Sequence, residues 1–367
     1  MKKLVLLLLV LSVLLLSACN TDAPQQPAAQ PSEPAAPAET APEPATTPEP
    51  AENAEPRQMD SLTVVLNFTV QGDHSPFFLA DARGYFAEQG IEVDIQRGNG
   101  SGDTVQRVAA GTADIGYADV VPLIMAIAEG AEVTTVMGGM MHEPSALFSA
   151  AEDANIQSPH EMEGRTIGGP PADVAIVLLE AVMASVGADF NQVEIINMDA
   201  ATRIPMLVTG EIDAAGSFFE KYVLFSNAMA EANKTMVMMR YDQYIAKYSC
   251  AVIVHDDLIA NNPDLIKRFV TALLKGYESA LEDPDFGASY IMAAHPEFDA
   301  DYIYASATTL PDVVWDETTR AQGIGVFSSD KMQETLDLTN TYWELARPVS
   351  LNEIFTNEFI EWAHANR

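Results

Sequence analysis

The sequence predicts an α/β protein of two lobes, and three features of its 367 residues indicate this fold class. Short β-branched segments alternate with apolar-periodic helices, which is the pattern of a mostly parallel sheet covered on both faces. The alternation occurs twice along roughly 300 residues, so two lobes are a better prediction than one oversized sheet. With 48% hydrophobic residues, the chain has enough apolar material for both cores.

The composition argues against several classes of function. The 53 Asp and Glu residues outnumber 19 Lys and Arg and give a formal net charge of -34, which disfavours a nucleic-acid partner or electrostatic docking to anionic lipid. Only Cys19 and Cys250 are present, too few for a multi-disulfide scaffold or a zinc site of three or four thiolates. The six histidines show no metal-ligand spacing. We therefore expect neither a metal nor a cofactor.

Residues 1–19 are predicted to be a lipoprotein signal peptide. Lys2 and Lys3 precede an apolar run that is too short to cross a bilayer, and this run ends in Leu-Ser-Ala-Cys. That ending resembles the lipobox of bacterial lipoproteins, which implies that Cys19 becomes the lipidated first residue of the mature protein. Cleavage by an ordinary signal peptidase, with Cys19 incidental, is the alternative.

Residues 20–60 are predicted to form a disordered tether. They are rich in Pro, Ala and Glu and hold almost no large apolar side chain, so they cannot bury enough surface to offset the entropy lost on ordering. With a lipid at Cys19, this tether would hold a globular body at the outer face of a membrane. The arrangement suits a receptor, and it equally suits a tethered enzyme.

The first α/β series begins the first lobe, predicted over 61–148. Strand segments have β-branched or alternating patterns, and the helices between them repeat their apolar residues every three or four positions. The predicted order is strand 62–66, helix 77–86, strand 91–95, helix 103–110 and strand 113–117.

The second series is predicted to form the second lobe, over 149–252, and 253–367 is predicted to complete the first lobe with C-terminal helices. The same criteria apply. The predicted order is strand 165–169, helix 174–186, strand 193–196, helix 203–209, a strand ending at 214–216, and amphipathic helices at 263–282 and 329–345.

Several phrases of the sequence occur in a recognisable order between residue 61 and about residue 281. They are LNFTVQGDHSPFFLA at 66–80, GYFAEQGI at 84–91, AAGTADIG at 109–116, EGRTIG at 163–168, LVTGEIDA at 207–214, and the helix start at 262–269. In this order and spacing the chain resembles the nitrate, taurine and thiamine-pyrimidine group of periplasmic binding proteins.

The resemblance implies the type II periplasmic-binding-protein fold, in which two α/β lobes joined by a hinge close over a ligand in a central cleft. The two crossings between lobes are expected near 146–150 and 251–254. Ligand atoms would meet strand carboxyl ends and helix N-termini. The implied partners are a small-molecule ligand and the permease and ATPase subunits of an ABC importer, which would read the closed form.

The stretch 66–80 looks most like the thiamine-precursor pyrimidine binders and the related riboflavin binders. Phe68 and His74 occupy the positions of an aromatic residue after the first strand and a histidine at the start of the next helix. Phe68 stands where tryptophan is usual in the pyrimidine pattern, and Val70 where proline is usual. These departures leave room for a larger ring, so riboflavin and the pyrimidine both remain leading candidates.

Candidate ligand contacts come from both lobes. Phe68 can stack on a planar ring, His74 can bond a ring nitrogen, and Glu220 resembles the carboxylate that grips amino or imide hydrogens in pyrimidine binders. Ser101 lies in a Gly-rich turn, where it or Asp103 is expected to cap the following helix. The predicted set is Asn67, Phe68, His74, Ser101, Tyr117, Asp119, Phe219, Glu220 and Tyr222.

Two alternatives remain. A sulfonate, taurine or nitrate binder shares the fold, but Asp73, Asp119 and Glu220 near the cleft favour a neutral or partly cationic ligand over an anion. An enzyme related to thiamine-pyrimidine synthase is the second alternative. That synthase consumes a histidine of its own chain and has a cysteine-rich motif. Only Cys250 remains here, and hydrolase motifs are missing. We expect no catalytic residues.

Overall fold

The computed structural model describes residues 59–171 and 173–367, which form two five-stranded mixed sheets with helices around them. The predicted α/β fold class is confirmed. The predicted signal peptide, the lipidation site at Cys19 and the tether up to residue 58 lie outside the described residues. Within the described part of the chain, every helix is too short or too polar to cross a bilayer.

The strands divide evenly between the two sheets. In chain order they are β1 (Asp60–Val65), β2 (Ile91–Gln96), β3 (Ile115–Asp119), β4 (Val133–Gly138), β5 (Ser145–Ala150), β6 (Thr166–Gly169), β7 (Glu194–Asn197), β8 (Ala214–Phe218), β9 (Met236–Arg240) and β10 (Cys250–His255). The sheet orders are β2-β1-β3-β10-β4 and β7-β6-β8-β5-β9. In each sheet the one antiparallel strand, β10 or β5, is inserted between strands of the parallel set.

The α-helices cover both sheets, and five short 3₁₀ turns lie between elements of the described chain. The helices are α1 (Ser75–Ala82), α2 (Tyr85–Glu88), α3 (Ser101–Ala109), α4 (Val120–Ala128), α5 (Val174–Val177), α6 (Leu179–Ser185), α7 (Arg203–Thr209), α8 (Tyr222–Glu231), α9 (Asp256–Asn261), α10 (Pro263–Glu282), α11 (Pro284–Ala294), α12 (Ala300–Thr308), α13 (Leu310–Val314), α14 (Glu317–Gln322), α15 (Ser329–Tyr342), α16 (Leu351–Ile354) and α17 (Glu358–Asn366).

The chain passes from the first sheet to the second between β4 and β5, at 139–144, and returns between β9 and β10, at 241–249. Both passages lie just before the stretches in which the crossings were predicted, 146–150 and 251–254. Those stretches are strands β5 and β10 themselves. Their apolar patterns identify them as strands, but a local pattern does not specify which sheet a strand joins.

Two predicted helices are each divided in the structure. The helix predicted at 77–86 is α1 followed by α2, because Gly84 adopts a left-handed conformation with φ of 74°. The segment predicted at 174–186 is α5 followed by α6. By contrast, α10 has the predicted bounds, with an Asn262 side-chain cap and Pro263 in its first turn.

The C-terminal helices pack mainly on the first sheet and its helices. Helix α10 packs along α1 and α17, and α15 packs on α4. Helix α12 is placed differently, because it contacts both the 3₁₀ turn Gly72–His74 of the first lobe and the turn Phe219–Lys221 of the second. The two loops that follow β1 and β8 therefore meet under α12, and this junction is the cleft described below.

Candidate functional site

The cleft is formed where the carboxyl ends of β1 and β8 face each other, the position at which open α/β sheets bind ligands. Phe68, which follows β1, contributes a ring that is 42% exposed. Lys221, which follows β8, places its Nζ 5.7 Å from the centroid of that ring. An exposed ring of this size is able to stack on a planar ligand, and the contact of Phe68 with a ligand stays a prediction.

His74 and Asn67 lie at the cleft but are occupied by bonds within the protein. The backbone N–H of Gln71 donates to Nδ1 of His74 at 3.1 Å, so the ring proton is on Nε2, which donates to Oδ1 of Asn67 at 2.7 Å. The amide of Asn67 donates in turn to Sγ of Cys250 at 3.2 Å. Burial lowers the pKa of His74 to about 3, so the imidazole is neutral. The polar groups of both residues therefore have partners within the protein, and their contact with a ligand stays a prediction.

Tyr117 and Asp119, predicted as contacts at the end of β3, are also used internally. Tyr117 is fully buried and packs edge-on against Phe77 with ring centroids 5.1 Å apart. One oxygen of Asp119 caps α4 by accepting from the N–H of Val121 at 2.9 Å. The other accepts from Lys247 at 2.8 Å. The Tyr117 hydroxyl accepts from that of Tyr277 at 3.5 Å. The polar groups of Tyr117 and Asp119 thus have partners within the protein, and their contact with a ligand stays a prediction.

Ser101 begins α3 and remains half-buried. Its Oγ accepts a hydrogen bond from the backbone N–H of Asp119 at 3.0 Å, which ties α3 to the end of β3. The predicted side-chain cap by Ser101 or Asp103 is wrong, because the capping position is Gly100, with φ of 122° and no side chain. The hydroxyl hydrogen of Ser101 remains available for donation.

Glu220 is the principal polar group of the second lobe's side of the cleft. It lies in the turn after β8, is only 3% exposed, and its Oε1 has no hydrogen-bond partner within the described residues. Burial raises the pKa of Glu220 to about 8, against the opposing charge of Lys221. A buried acceptor without a partner is rare in a folded protein, so this atom needs a donor from outside the chain or a proton.

The neighbours of Glu220 have different surroundings. Phe219 is buried beneath Arg240, whose guanidinium carbon lies 4.0 Å from the ring centroid. Phe219 is therefore a packed cation–π partner rather than a free stacking surface. Tyr222 begins α8 and is half-buried, and its contact with a ligand stays a prediction.

Several polar residues at the cleft were not predicted as contacts. Arg203 begins α7 and donates from Nη1 to Asp173 at 3.0 Å and to the carbonyl of Gly216 at 2.9 Å. Tyr302 of α12 donates its hydroxyl to Oε1 of Gln71. Arg203 could have been found from the sequence, because it is a charged residue at the start of a predicted helix. Tyr302 could not, because only the tertiary structure places α12 at the cleft.

Within the described residues, no group of three or more His, Cys, Asp or Glu side chains is arranged to hold a metal ion. The polar groups at the cleft can form hydrogen bonds to an organic ligand. An aromatic ring can stack on Phe68 while a donor on its edge bonds to Glu220 from the opposite lobe.

Comparison with known proteins gives a consistent result. The family model described as NMT1/THI5 like matches residues 71–286. Riboflavin-binding protein RibY of Chloroflexus aurantiacus is 28% identical over 98% of this chain and 98% of its own. The formylaminopyrimidine-binding protein of Halalkalibacterium halodurans is 22% identical over 82% of this chain and 90% of its own. A 4-amino-5-hydroxymethyl-2-methylpyrimidine phosphate synthase of Schizosaccharomyces pombe is 25% identical over 61% of this chain and 67% of its own.

Solved structures agree on the fold. The periplasmic aliphatic sulphonate binding protein SsuA of Escherichia coli superimposes with a TM-score of 0.63 at 12% identity, covering 77% of this chain and 86% of its own. At that identity the likeness concerns the fold alone, and it is the two-lobed periplasmic-binding-protein fold that the sequence resemblance implied.

Proposed function

Because the chain belongs to the NMT1/THI5-like family, we propose that it is an extracytoplasmic solute-binding lipoprotein of an ABC importer. It captures a vitamin-type aromatic heterocycle, either riboflavin or a thiamine-precursor pyrimidine, and delivers it to the membrane permease. Relatives whose names state riboflavin and formylaminopyrimidine binding support this ligand class.

The observation that carries the proposal is the unpartnered, buried carboxylate of Glu220 opposite the exposed ring of Phe68. A planar heterocycle satisfies both features at once. Its face stacks on Phe68, which contributes about 0.5–1.5 kcal/mol beyond area burial, and an edge N–H donates to Glu220. When Glu220 is ionised, the hydrogen bond that it accepts contributes about 1.5–3 kcal/mol. The two contacts come from different lobes, so the ligand itself favours closure.

Anionic ligands fit these surroundings poorly. A sulfonate or nitrate would lie beside the carboxylates of Asp73 and Glu220, which are both buried. Arg203, a guanidinium at the cleft, is already paired with Asp173. Lys221 is another cation at the cleft, and its charge acts on both acids. When Asp73 and Glu220 are ionised, repulsion between like charges therefore favours a neutral or cationic ligand over an anion.

The proposal also favours a receptor over a synthase. The histidine at the motif position, His74, is fully buried, and both of its ring nitrogens have protein partners. Chemistry at this ring would require both hydrogen bonds to break first. The same bonds suit a residue that fixes the shape of a ligand-binding loop.

The full chain, purified in detergent, tests the ligand class by thermal shift and calorimetry. The panel contains riboflavin, aminopyrimidines, thiamine, taurine, alkanesulfonates and nitrate. A ligand at 100 times its Kd adds about 2.7 kcal/mol of stability, so binding raises the Tm. Glu220→Gln should weaken binding of the heterocycle, whereas Glu231→Gln, an exposed acid of the same lobe, should not. A shift only with sulfonates or nitrate would contradict the proposal.

Membrane attachment is tested separately. With a lipid on Cys19, the mature protein should carry the mass of a diacylglyceryl group and fractionate with membranes. Cys19→Ser should abolish both properties and leave ligand binding intact, since the cleft lies in the globular body. Membrane attachment of the Cys19→Ser protein would contradict the lipoprotein assignment without affecting the receptor function.

A further inference from the structure

Asp73 is a second buried carboxylate at the cleft, and it comes from the lobe opposite Glu220. It lies in the 3₁₀ turn beneath α12, is 2% exposed, and neither of its carboxylate oxygens has a hydrogen-bond partner within the described residues. Two other buried acids of this protein are paired with a cation. Asp119 and Glu143 each lie 2.8 Å from the ammonium of Lys247. The fold thus supplies a cation where a buried carboxylate has a structural role.

The charged groups around Asp73 do not supply such a partner. Nε2 of His74 lies 3.6 Å away, but its hydrogen points to Asn67 and the ring is neutral. Lys221, on the opposite lobe, acts on both Asp73 and Glu220 without forming an ion pair with either in the described structure. Burial raises the pKa of Asp73 to about 7. An uncompensated buried carboxylate is strongly unfavourable, so a donor from outside the chain is required when Asp73 is ionised.

We propose that Asp73 is a ligand-binding carboxylate which, together with Glu220, selects heterocycles that present N–H or O–H donors on two separate edges, one to each lobe. This inference rests on the proposed function and specifies the ligand chemistry of the same site. Riboflavin has an imide N–H and ribityl hydroxyls, and a hydroxymethyl aminopyrimidine has an amino group and a hydroxyl. An analogue that lacks one set of donors leaves one carboxylate buried and unpaired, which such sites reject strongly.

Two matched probe pairs test the selection by calorimetry with the full chain at pH 9, above the pKa of both acids. The first pair is riboflavin and lumiflavin, which carries a methyl group in place of the ribityl chain. The other pair is 4-amino-5-hydroxymethyl-2-methylpyrimidine and 4-amino-2,5-dimethylpyrimidine, which lacks the hydroxyl. For the pair that binds, the wild type should bind the donor-poor member at least about tenfold more weakly. In one of the two variants, Asp73→Asn or Glu220→Gln, this ratio should fall below about threefold, because the deleted hydroxyl and the carboxylate that accepts from it are coupled, whereas the other variant should bind both members more weakly and keep the ratio. Asp94→Asn, an exposed acid of the first lobe, should keep the wild-type ratio.

The ligand-free Tm at pH 8 separates a binding role from a structural one. Asp73→Asn removes a buried, unpartnered charge, so its Tm should not be lower than that of the wild type. A lower Tm, or wild-type affinities and ratios in Asp73→Asn, would overturn the inference and leave the proposed function intact. If neither the flavins nor the pyrimidines bind the wild type, the proposed function fails, and this inference fails with it.

Discussion

Lys247 connects three parts of the chain between the lobes, and its removal should be severely destabilising. It lies in the return passage 241–249 and is fully buried. Its Nζ lies 2.8 Å from Asp119 at the end of β3, 2.8 Å from Glu143 in the passage 139–144, and 2.9 Å from the carbonyl of Tyr248. The substitution Lys247→Met preserves most of the side-chain volume but leaves two carboxylates buried without a cation.

Removal of one member of a buried charge cluster costs about 3–5 kcal/mol, a large share of the roughly 5–15 kcal/mol by which domains are stable. We expect this loss for Lys247→Met, measured as a lower urea midpoint at an unchanged m-value. Lys275→Met is the matched control. Its Nζ lies 3.0 Å from Glu88 in an exposed pair, so its loss should be below about 1 kcal/mol.

A rescue experiment identifies the cause. If unpaired charge accounts for the loss, Asp119→Asn and Glu143→Gln introduced into Lys247→Met should recover part of the stability, because both uncompensated carboxylates become neutral. Equal losses in Lys247→Met and Lys275→Met would refute the reasoning. The reasoning would also be refuted if the variant that carries Lys247→Met, Asp119→Asn and Glu143→Gln together were no more stable than Lys247→Met alone.

Three further predictions concern the cleft. His74 has a folded-state pKa near 3, below its unfolded value, so its contribution to stability is present above about pH 6.5 and declines as the pH falls, by up to about 1.4 kcal/mol per pH unit. The free energy of unfolding of His74→Asn, measured in urea, should lack this decline. A pH slope equal to that of the wild type would contradict the assignment. Gly72→Ala would place Cβ 2.2 Å from the backbone nitrogen of Ala307 in α12, so the free energy of unfolding in urea should fall by about 1–3 kcal/mol. In the control Gly102→Ala the new Cβ has no neighbour within 4 Å, so this free energy should not fall. Phe68→Ala should weaken heterocycle binding about twofold to tenfold by calorimetry with little change in Tm, because the ring is 42% exposed; unchanged affinity would exclude stacking on this ring.

The sequence alone determined the fold class and most of the elements. Strand and helix periodicities are properties of neighbouring residues, and so are the Asn262 cap and Pro263 start that define α10. Glu220 was also found from sequence, because the resemblance placed it directly after a strand whose carboxyl end faces the cleft. These features depend on local geometry, which the order of residues specifies.

Only the tertiary structure decided which acid has a partner. Asp119 was predicted at the cleft, but it bonds to Lys247, a residue 128 positions away in the chain. Asp73, which was also expected near the cleft but not among the predicted contacts, has no hydrogen bond to either carboxylate oxygen in the described structure, and Oε1 of Glu220 likewise has none. The physical reason is that a buried charge is satisfied by whichever group the fold brings within hydrogen-bond distance, and a local pattern contains no information about a residue so remote in the chain.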